Sequence, residues 1–306
     1  MSATAIVCAY SLVGREALAG LVDAGLSVLA LYTYPHARED AWFEPPAALA
    51  EALGIPVFME PKFNEDAVYE RIQGARPDFL FSFYFREMIQ ARFLEIPRLG
   101  AYNLHGSLLP KYRGRAPINW VLVKGESETG VTLHGMTPKP DDGDIVGQTP
   151  IPIAWDETAL TLTRKAAVAG RQLVTATAPR LVDGTAVRVS QKSLGPSTYF
   201  GGRKPEDGEL RFEMTAPEAF NLIRAVADPW PNAFLRLPGG TVKVPWAVPD
   251  AAACPAGSFR ASPDGVLLGF ASGALRIGAL EAEGTRLQRP SDQAACLRRM
   301  GLGERP

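Results

Sequence analysis

The stretch "DFLFSFYF", residues 78–85, constrains the fold more than any other. After Asp78 the run shows no alternation of apolar and polar residues, so a strand built from it cannot keep one face in water. It belongs in the middle of a parallel sheet covered by helices on both sides. The preceding residues supply that context. "ATAIVCAY" (3–10), "SVLALYTY" (27–34) and "IPVFME" (55–60) read as strands, and "GREALAGLVDAGL" (14–26), "PPAALAEALG" (45–54) and "NEDAVYERIQGARP" (64–77) as the intervening amphipathic helices. The alternation predicts an α/β fold with a Rossmann-like, doubly wound N-terminal domain.

A doubly wound sheet does not imply a dinucleotide. The turn after the first strand, "AYSLVGREAL", holds the single Gly14 where a G-x-G-x-x-G fingerprint would stand. Further on come a helix "PINWVLVKG", a hairpin-like pair "TGVTLHGM" and "DIVGQTPIPI", and a long helix from Thr158 to Val182. The Gly-, Pro- and charge-rich stretch from Asp183 to Phe212 reads as a connection to a second unit. That unit opens with the helix "TAPEAFNLIRAVAD" and continues as "TVKVPWAV", "GSFRASPDGVLLGF" and "GALRIGALEAEG", strands set around turns, which predicts a smaller, mostly β domain of OB-like barrel type. The expected boundaries are 1–190 for the catalytic domain, 191–206 for the linker and 207–306 for the C-terminal domain.

Composition matters here for what it excludes. With 32 Lys plus Arg against 33 Asp plus Glu, a formal charge of −1 gives no global attraction to nucleic acid or to an anionic membrane. Three widely spaced cysteines, Cys8, Cys254 and Cys296, suit a reducing compartment and inert thiols. There is no basic leader before the first apolar run and no segment of roughly 20 apolar residues, so a cytoplasmic protein is expected.

The chemistry gathers in "NLHGSLLPKYRGRAP", residues 103–117. In an extended chain Asn103 and His105 share one face while Leu104 turns into the core, and "LGAYNLH" ends where ligands of open α/β sheets bind, at the carboxyl edge. Taken singly, an Asn at a strand end is a turn-former and a lone His a satisfied surface or core residue. Together they suit acyl transfer, the imidazole taking a proton from an attacking amine and the amide N–H meeting an oxyanion. A carboxylate holding the imidazole and favouring its charged form completes such a set, and "PKPDDGDIV" offers Asp141, Asp142 and Asp144. The same loop lacks Cys or His at ligand spacing, so no metal is expected. His36 and His134 read as structural or surface residues.

"NLHGSLLPKYRGRAPINWVLVKGESETGVTLHGM" followed by "DDGDIVGQ" resembles the signature of the 10-formyltetrahydrofolate-dependent formyltransferases, with N-x-H, S-L-L-P and D-x-G in order. The likeness extends to "DFLFSFYFREMI", "FGGRKPEDG" and "RAVADPWPNAF". It implies an N-formyltransferase that takes its one-carbon group from 10-formyltetrahydrofolate, with catalytic Asn103, His105 and Asp141. It also implies a folate pocket from Glu87, Met88, Ile89, Arg115 and the loop Thr137, Pro138, Lys139, Pro140. Within the family "HGSLLPKYRGRAPINWVLV" and "ADPWP" are most similar to the enzymes that formylate UDP-4-amino-4-deoxy-L-arabinose for lipid A modification and polymyxin resistance. The implied partner is therefore a UDP-amino sugar, with no nucleic acid and no membrane insertion.

Asp142 stands where those relatives carry a small neutral residue, and like-charge repulsion from it is expected to raise the pKa of Asp141. Lys111, Arg113, Arg203 and Lys204 are candidates for the diphosphate, although a solvent-facing charge is the expected role of each taken alone. The bifunctional relatives continue into a decarboxylase after this region, whereas this chain stops at "GLGERP", which leaves a stand-alone enzyme or one half of a larger one. Other readings are a formyltransferase for a different nucleotide-linked amino sugar, a methionyl-tRNA formyltransferase and a hydrolase of the formyl donor. Against the tRNA enzyme, the region after the second strand reads "YPHAREDAWFEPP", acidic and aromatic rather than basic.

Overall fold

The structure, a computed structural model, describes residues 2–59 and 62–305. It divides into two compact units: one holds the chain to Pro117, Glu128–Ile153 and Thr161–Gly201, the other Ile118–Ser127, Ala154–Leu160 and the chain from Gly202 on.

In the first unit β1 (Thr4–Ala9), α1 (Ser11–Asp23), β2 (Ser27–Tyr32), α2 (Pro46–Ala52), β3 (Val57–Phe58), α3 (Asp66–Ala75), β4 (Phe79–Phe83), α4 (Ala91–Leu94) and β5 (Gly100–His105) follow the expected alternation. The last residue of the predicted strand "IPVFME", Glu60, lies outside the described residues. The chain then runs through β6 (Arg113–Gly114), α5 (Pro117–Val123), β7 (Glu128–Gly135), β8 (Ile145–Pro152), α6 (Ala159–Val182) and β9 (Tyr199–Phe200). The sheet order is β3-β2-β1-β4-β5-β7-β8. Its first five strands are parallel, while β7 and β8 run antiparallel.

All of β4 is buried, as its unbroken apolar run requires. Leu80 packs on one face with Ile6, Cys8 and the α3 residues Val68 and Ile72. On the other face Phe79, Phe81, Phe83 and Tyr102 form a ladder of tilted rings at centroid spacings of 5.5–6.1 Å. Leu104, 1% exposed, continues that face beside Gly170 of α6 and Val13 of α1. Alternation along β5 therefore sends Asn103 and His105 the other way. Helix α1 starts at Ser11, three residues before the predicted Gly14, because the chain turns sharply at Ser11 with φ +65°.

The second unit adds α7 (Ala216–Val226), β10 (Ala233–Leu237), β11 (Gly240–Asp250), β12 (Ser258–Ser262), β13 (Gly265–Gly269), β14 (Ala274–Ala282), β15 (Thr285–Leu287), α8 (Pro290–Arg299) and β16 (Gly303–Glu304). Thr215 and Glu218 form a capping box that starts α7, with Pro217 in its first turn. The helix then buries Phe220, Leu222 and Ile223 against Val242, Val244, Leu275 and Leu280. The unit is smaller and mostly strand, as expected. Its sheet follows the path β10-β11-β14-β13-β12-β16, and among the described residues no pairing joins β10 to β16.

The three cysteines are buried and unlinked, and burial pushes the Cys8 thiol well above its ordinary value. Among the described residues no helix is long and apolar enough to cross a membrane.

Candidate active site

Asn103 and His105 stand at the carboxyl end of β5, and the antiparallel register with β7 sets His134 directly opposite Asn103. The loop between β7 and β8 carries Asp141 back over them. Gly143 permits that approach, because a Cβ there would lie 1.9 Å from the carbonyl oxygen of Gly135. Asp141 itself adopts φ +52°, a left-handed conformation that a non-glycine residue keeps only when its surroundings enforce it.

The resulting cluster is close. Asp141 Oδ1 lies 3.5 Å from His105 Nδ1, 3.5 Å from His134 Nε2 and 3.5 Å from Asn103 Nδ2. Its other oxygen accepts the Gly114 N–H at 2.8 Å. His105 Nε2 faces the carbonyl of Tyr112 at 2.7 Å, and a carbonyl only accepts, so that nitrogen carries the proton. Nδ1, the nitrogen that titrates, faces Asp141. By the same logic His134 Nδ1 donates to Gly135 O at 2.8 Å, and its Nε2 accepts from Asn103 Nδ2 at 3.1 Å. One Asn103 N–H is thus anchored, while the second, at the limit of a hydrogen bond to Asp141, is available to an incoming oxyanion.

Burial sets the charge of His105. The residue is 6% exposed, and loss of hydration lowers its pKa below the ordinary 6.5 despite the opposing pull of Asp141. The sequence reading has Asp141 favouring the charged imidazole; that pull exists, but desolvation outweighs it and the ring is neutral at pH 7. Burial alone would raise Asp141, yet in the acid range where it titrates the charge that His105 takes on, the hydrogen bond and charge of a protonated His134, and the Gly114 N–H bring it down to about 2. The carboxylate stays ionised.

Three sequence expectations need correction. Asp142 does not raise its neighbour, because the guanidinium of Arg113 holds it at 2.5 Å and neutralises it. Arg113 is also bound through Nε and Nη2 to Gln191 Oε1, at 3.1 and 2.7 Å, so it is a buttress of the acidic loop rather than a free diphosphate ligand. His134, read as structural or surface, is 2% exposed and belongs to the cluster. Gln191, the first residue of the expected linker, was missed altogether. It is buried and donates to the carbonyls of Asp141 and Gly143 at 2.8 and 2.7 Å, clamping the loop. Of the other diphosphate candidates, Arg203 lies over the Trp120 ring and donates to Asp207 O.

Beside the cluster opens a cavity of about 370 Å³. It is lined by Asn103, His105, His134 and Asp141, by Glu87, Met88 and Ile89 after β4, and by Arg115, Thr137, Lys139 and Pro140. Of the folate-pocket residues implied by the resemblance, only the exposed Pro138 is not part of the wall. Among the described residues no group of three or more His, Cys, Asp or Glu could hold a metal ion.

A buried imidazole with a part-buried amide and carboxylate, around a cavity at a sheet edge, is a set of groups that could serve acyl transfer. Residues 34–177 match the formyl transferase family and residues 203–296 the C-terminal domain of formyl transferases. The chain belongs to that family and is a formyltransferase. Among solved structures it is similar to WlaRD, a sugar 3N-formyl transferase determined in the presence of dTDP and 5-N-formyl-THF (17% identity, TM-score 0.67, 90% of this chain and 97% of that one). A second is the N-formyltransferase from Helicobacter canadensis, in complex with folinic acid and dTDP-3-aminofucose (20% identity, TM-score 0.68, 90% and 98%). A third, HypX from Aquifex aeolicus with tetrahydrofolic acid, matches over 99% of this chain but 48% of its own length (17% identity, TM-score 0.64).

Proposed function

We propose that this formyltransferase moves a formyl group from 10-formyltetrahydrofolate to the amine of a nucleotide-linked amino sugar, with the 4-amine of UDP-4-amino-4-deoxy-L-arabinose as the acceptor. The observation that carries the reading is the meeting of Asn103, His105 and Asp141 around one cavity, with separations of 3.5 Å. Neutral His105 takes the proton that the amine loses as it adds to the formyl carbon. The free N–H of Asn103 receives the developing oxyanion, while Asp141 orients and stabilises the imidazolium formed in that step. His105 then returns the proton to the departing nitrogen as tetrahydrofolate leaves.

The cavity suits the reacting end of a folate. The Glu87–Ile89 segment and the Thr137–Pro140 loop form its walls, within the size range of small-molecule sites. The relatives crystallised with folates and dTDP or dTDP-3-aminofucose support a nucleotide-sugar acceptor as the class. The resemblance in residues 105–123 supports the UDP-linked pentose within it. The segment after β2 favours neither tRNA nor another polyanion: Tyr10, Tyr34, His36, Trp42 and Phe43 pack as an aromatic cluster, with Asp40 bonded to Tyr10 and Arg86.

The test is incubation with 10-formyltetrahydrofolate and a panel of UDP- and dTDP-linked amino sugars, with methionyl-tRNA as a further arm, read by product mass. Gain of one formyl group by UDP-4-amino-4-deoxy-L-arabinose is the expected result. Formylation of methionyl-tRNA alone, or release of formate with no amine consumed, overturns the reading.

A further inference from the structure

The sheet has a second edge feature that the catalytic cluster does not use. From β1 the chain builds outward to β2 and β3, and from β4 it builds the other way to β5, so the switch in strand order falls between β1 and β4. Ligands of open α/β sheets bind in the crevice at that switch, outside the carboxyl ends of the strands. The two strands are tied at this end by the Tyr10 N–H, which donates to the Phe83 carbonyl at 3.1 Å. On either side of this bond stand Ser11 with φ +65° and Tyr84 with φ +56°. Both are left-handed, and both hydroxyl oxygens are shielded from solvent without a hydrogen-bond partner.

Tyr84 is the more telling of the two. The register pairs Phe83 with Leu104, so Tyr84 comes level with His105 at the sheet edge, and it is one of the residues lining the same cavity. The hydroxyl is tucked against Gly106, where a Cβ would lie 2.0 Å from Oη and 3.3 Å from Pro117. Only a residue without a side chain leaves that room. A strained backbone, a neighbour trimmed to glycine and a shielded hydroxyl bonded to no protein group make a poor piece of packing. They make good sense for a group whose partner arrives with a ligand.

We propose that Tyr84 recognises the acceptor, its phenol turning from Gly106 toward the cavity to bond a sugar hydroxyl next to the reacting amine. The inference rests on the nucleotide-amino-sugar reading above. The amine has to approach His105, so the acceptor group closest to Tyr84 is the one on the ring carbon beside the amine. A phenol held in its neutral form by burial donates and accepts like a sugar hydroxyl, which it matches better than a phosphate or a carboxylate. Of the proposed folate walls, the Thr137–Pro140 loop is a separate segment, while Glu87–Ile89 follows Tyr84 by three residues along the same cavity.

Steady-state kinetics of Tyr84→Phe test this. The acceptor KM rises about tenfold, as for loss of one hydrogen bond to a ligand, while kcat and the donor KM stay within about twofold. The melting temperature stays level or rises, because the removed hydroxyl had no bond to lose. With an acceptor analogue lacking the hydroxyl beside the amine, wild type and Tyr84→Phe give equal KM, closing the cycle. An unchanged acceptor KM, a shift in donor KM instead, or a lowered melting temperature overturns the assignment of Tyr84 alone. Failure of the wild type to formylate any nucleotide amino sugar overturns the functional reading and this inference with it.

Discussion

Strand β4 and the residues that follow it are built on opposite principles, although they adjoin. From Phe79 to Phe83 every residue is buried, and the strand is held by many interchangeable apolar contacts on both faces. At the carboxyl edge of the same sheet, Asn103, His105 and Asp141 are held by a few specific polar contacts and the Tyr84 hydroxyl by none, and Tyr84 and Asp141 sit in left-handed conformations. The interior fixes where the strand ends lie, and the edge uses that rigidity to hold polar groups the core would not tolerate. Damage to the interior should therefore appear as lost stability, and damage to the edge as lost rate.

The largest effect is expected in the interior. Phe81→Ala removes the middle ring of the ladder from a fully buried position and should cost about 3–5 kcal/mol, seen as a lower denaturation midpoint in urea. Formyl transfer by the fraction that stays folded should persist. Asn103→Ala reverses the pattern: one oxyanion donor is lost, so the rate should fall roughly 10²–10³-fold. Stability should drop by about 1 kcal/mol, the worth of its hydrogen bond to His134. A stable Phe81→Ala, or an Asn103→Ala protein that transfers formyl at the wild-type rate, breaks the division.

Acid exposes the edge a third way. His105 has a folded pKa below 6.5, so the native state prefers the neutral ring. Its contribution to stability is complete above 6.5 and is lost as pH falls through the folded value. Asp141 titrates at about 2 in the folded state against an ordinary 3.8, so its contribution is complete above 3.8 and fades as pH falls toward about 2. Thermal melts across pH should show two separate losses, the upper one flattened in His105→Gln and the lower one in Asp141→Asn. The acid limb of kcat/KM should lie below pH 6.5; a limb above it would mean that Asp141, not burial, controls the imidazole.

The interior was the more legible region. An unbroken run such as 78–85 has one physical solution, and the helices and strands around it follow from spacing alone. Asn103 and His105 could be assigned to one face because their spacing matches the strand period. What could not be read depends on register and on long-range pairing. His134 meets Asn103 only through the β5–β7 alignment, and Gln191 reaches the acidic loop from 48 residues beyond Gly143. The one local hint for His134 was a polar residue closing an apolar strand, "GVTLHGM", just as His105 closes "LGAYNLH". The depressed His105 pKa was hidden for a related reason: a sequence shows the partner Asp141 but not how dry the ring becomes.

The smallest expected effect tests the join between the two regions. Asp142 adjoins Asp141 in sequence, yet its carboxylate is spent on Arg113, which in turn holds Gln191, and Gln191 grips the backbone of Asp141 and Gly143. If that chain positions the loop, Asp142→Asn keeps an oxygen for Arg113 and changes kcat by less than about threefold, with the acid limb unmoved. Arg113→Met removes the link at its centre and takes away the guanidinium that both the Asp142 carboxylate and the Gln191 Oε1 are bonded to. The loop then loosens, so kcat falls further than in Asp142→Asn while the acceptor KM changes little. If Asp142→Asn instead moves the acid limb, its charge acts on His105 directly, and Arg113 is not neutralising it as the geometry implies.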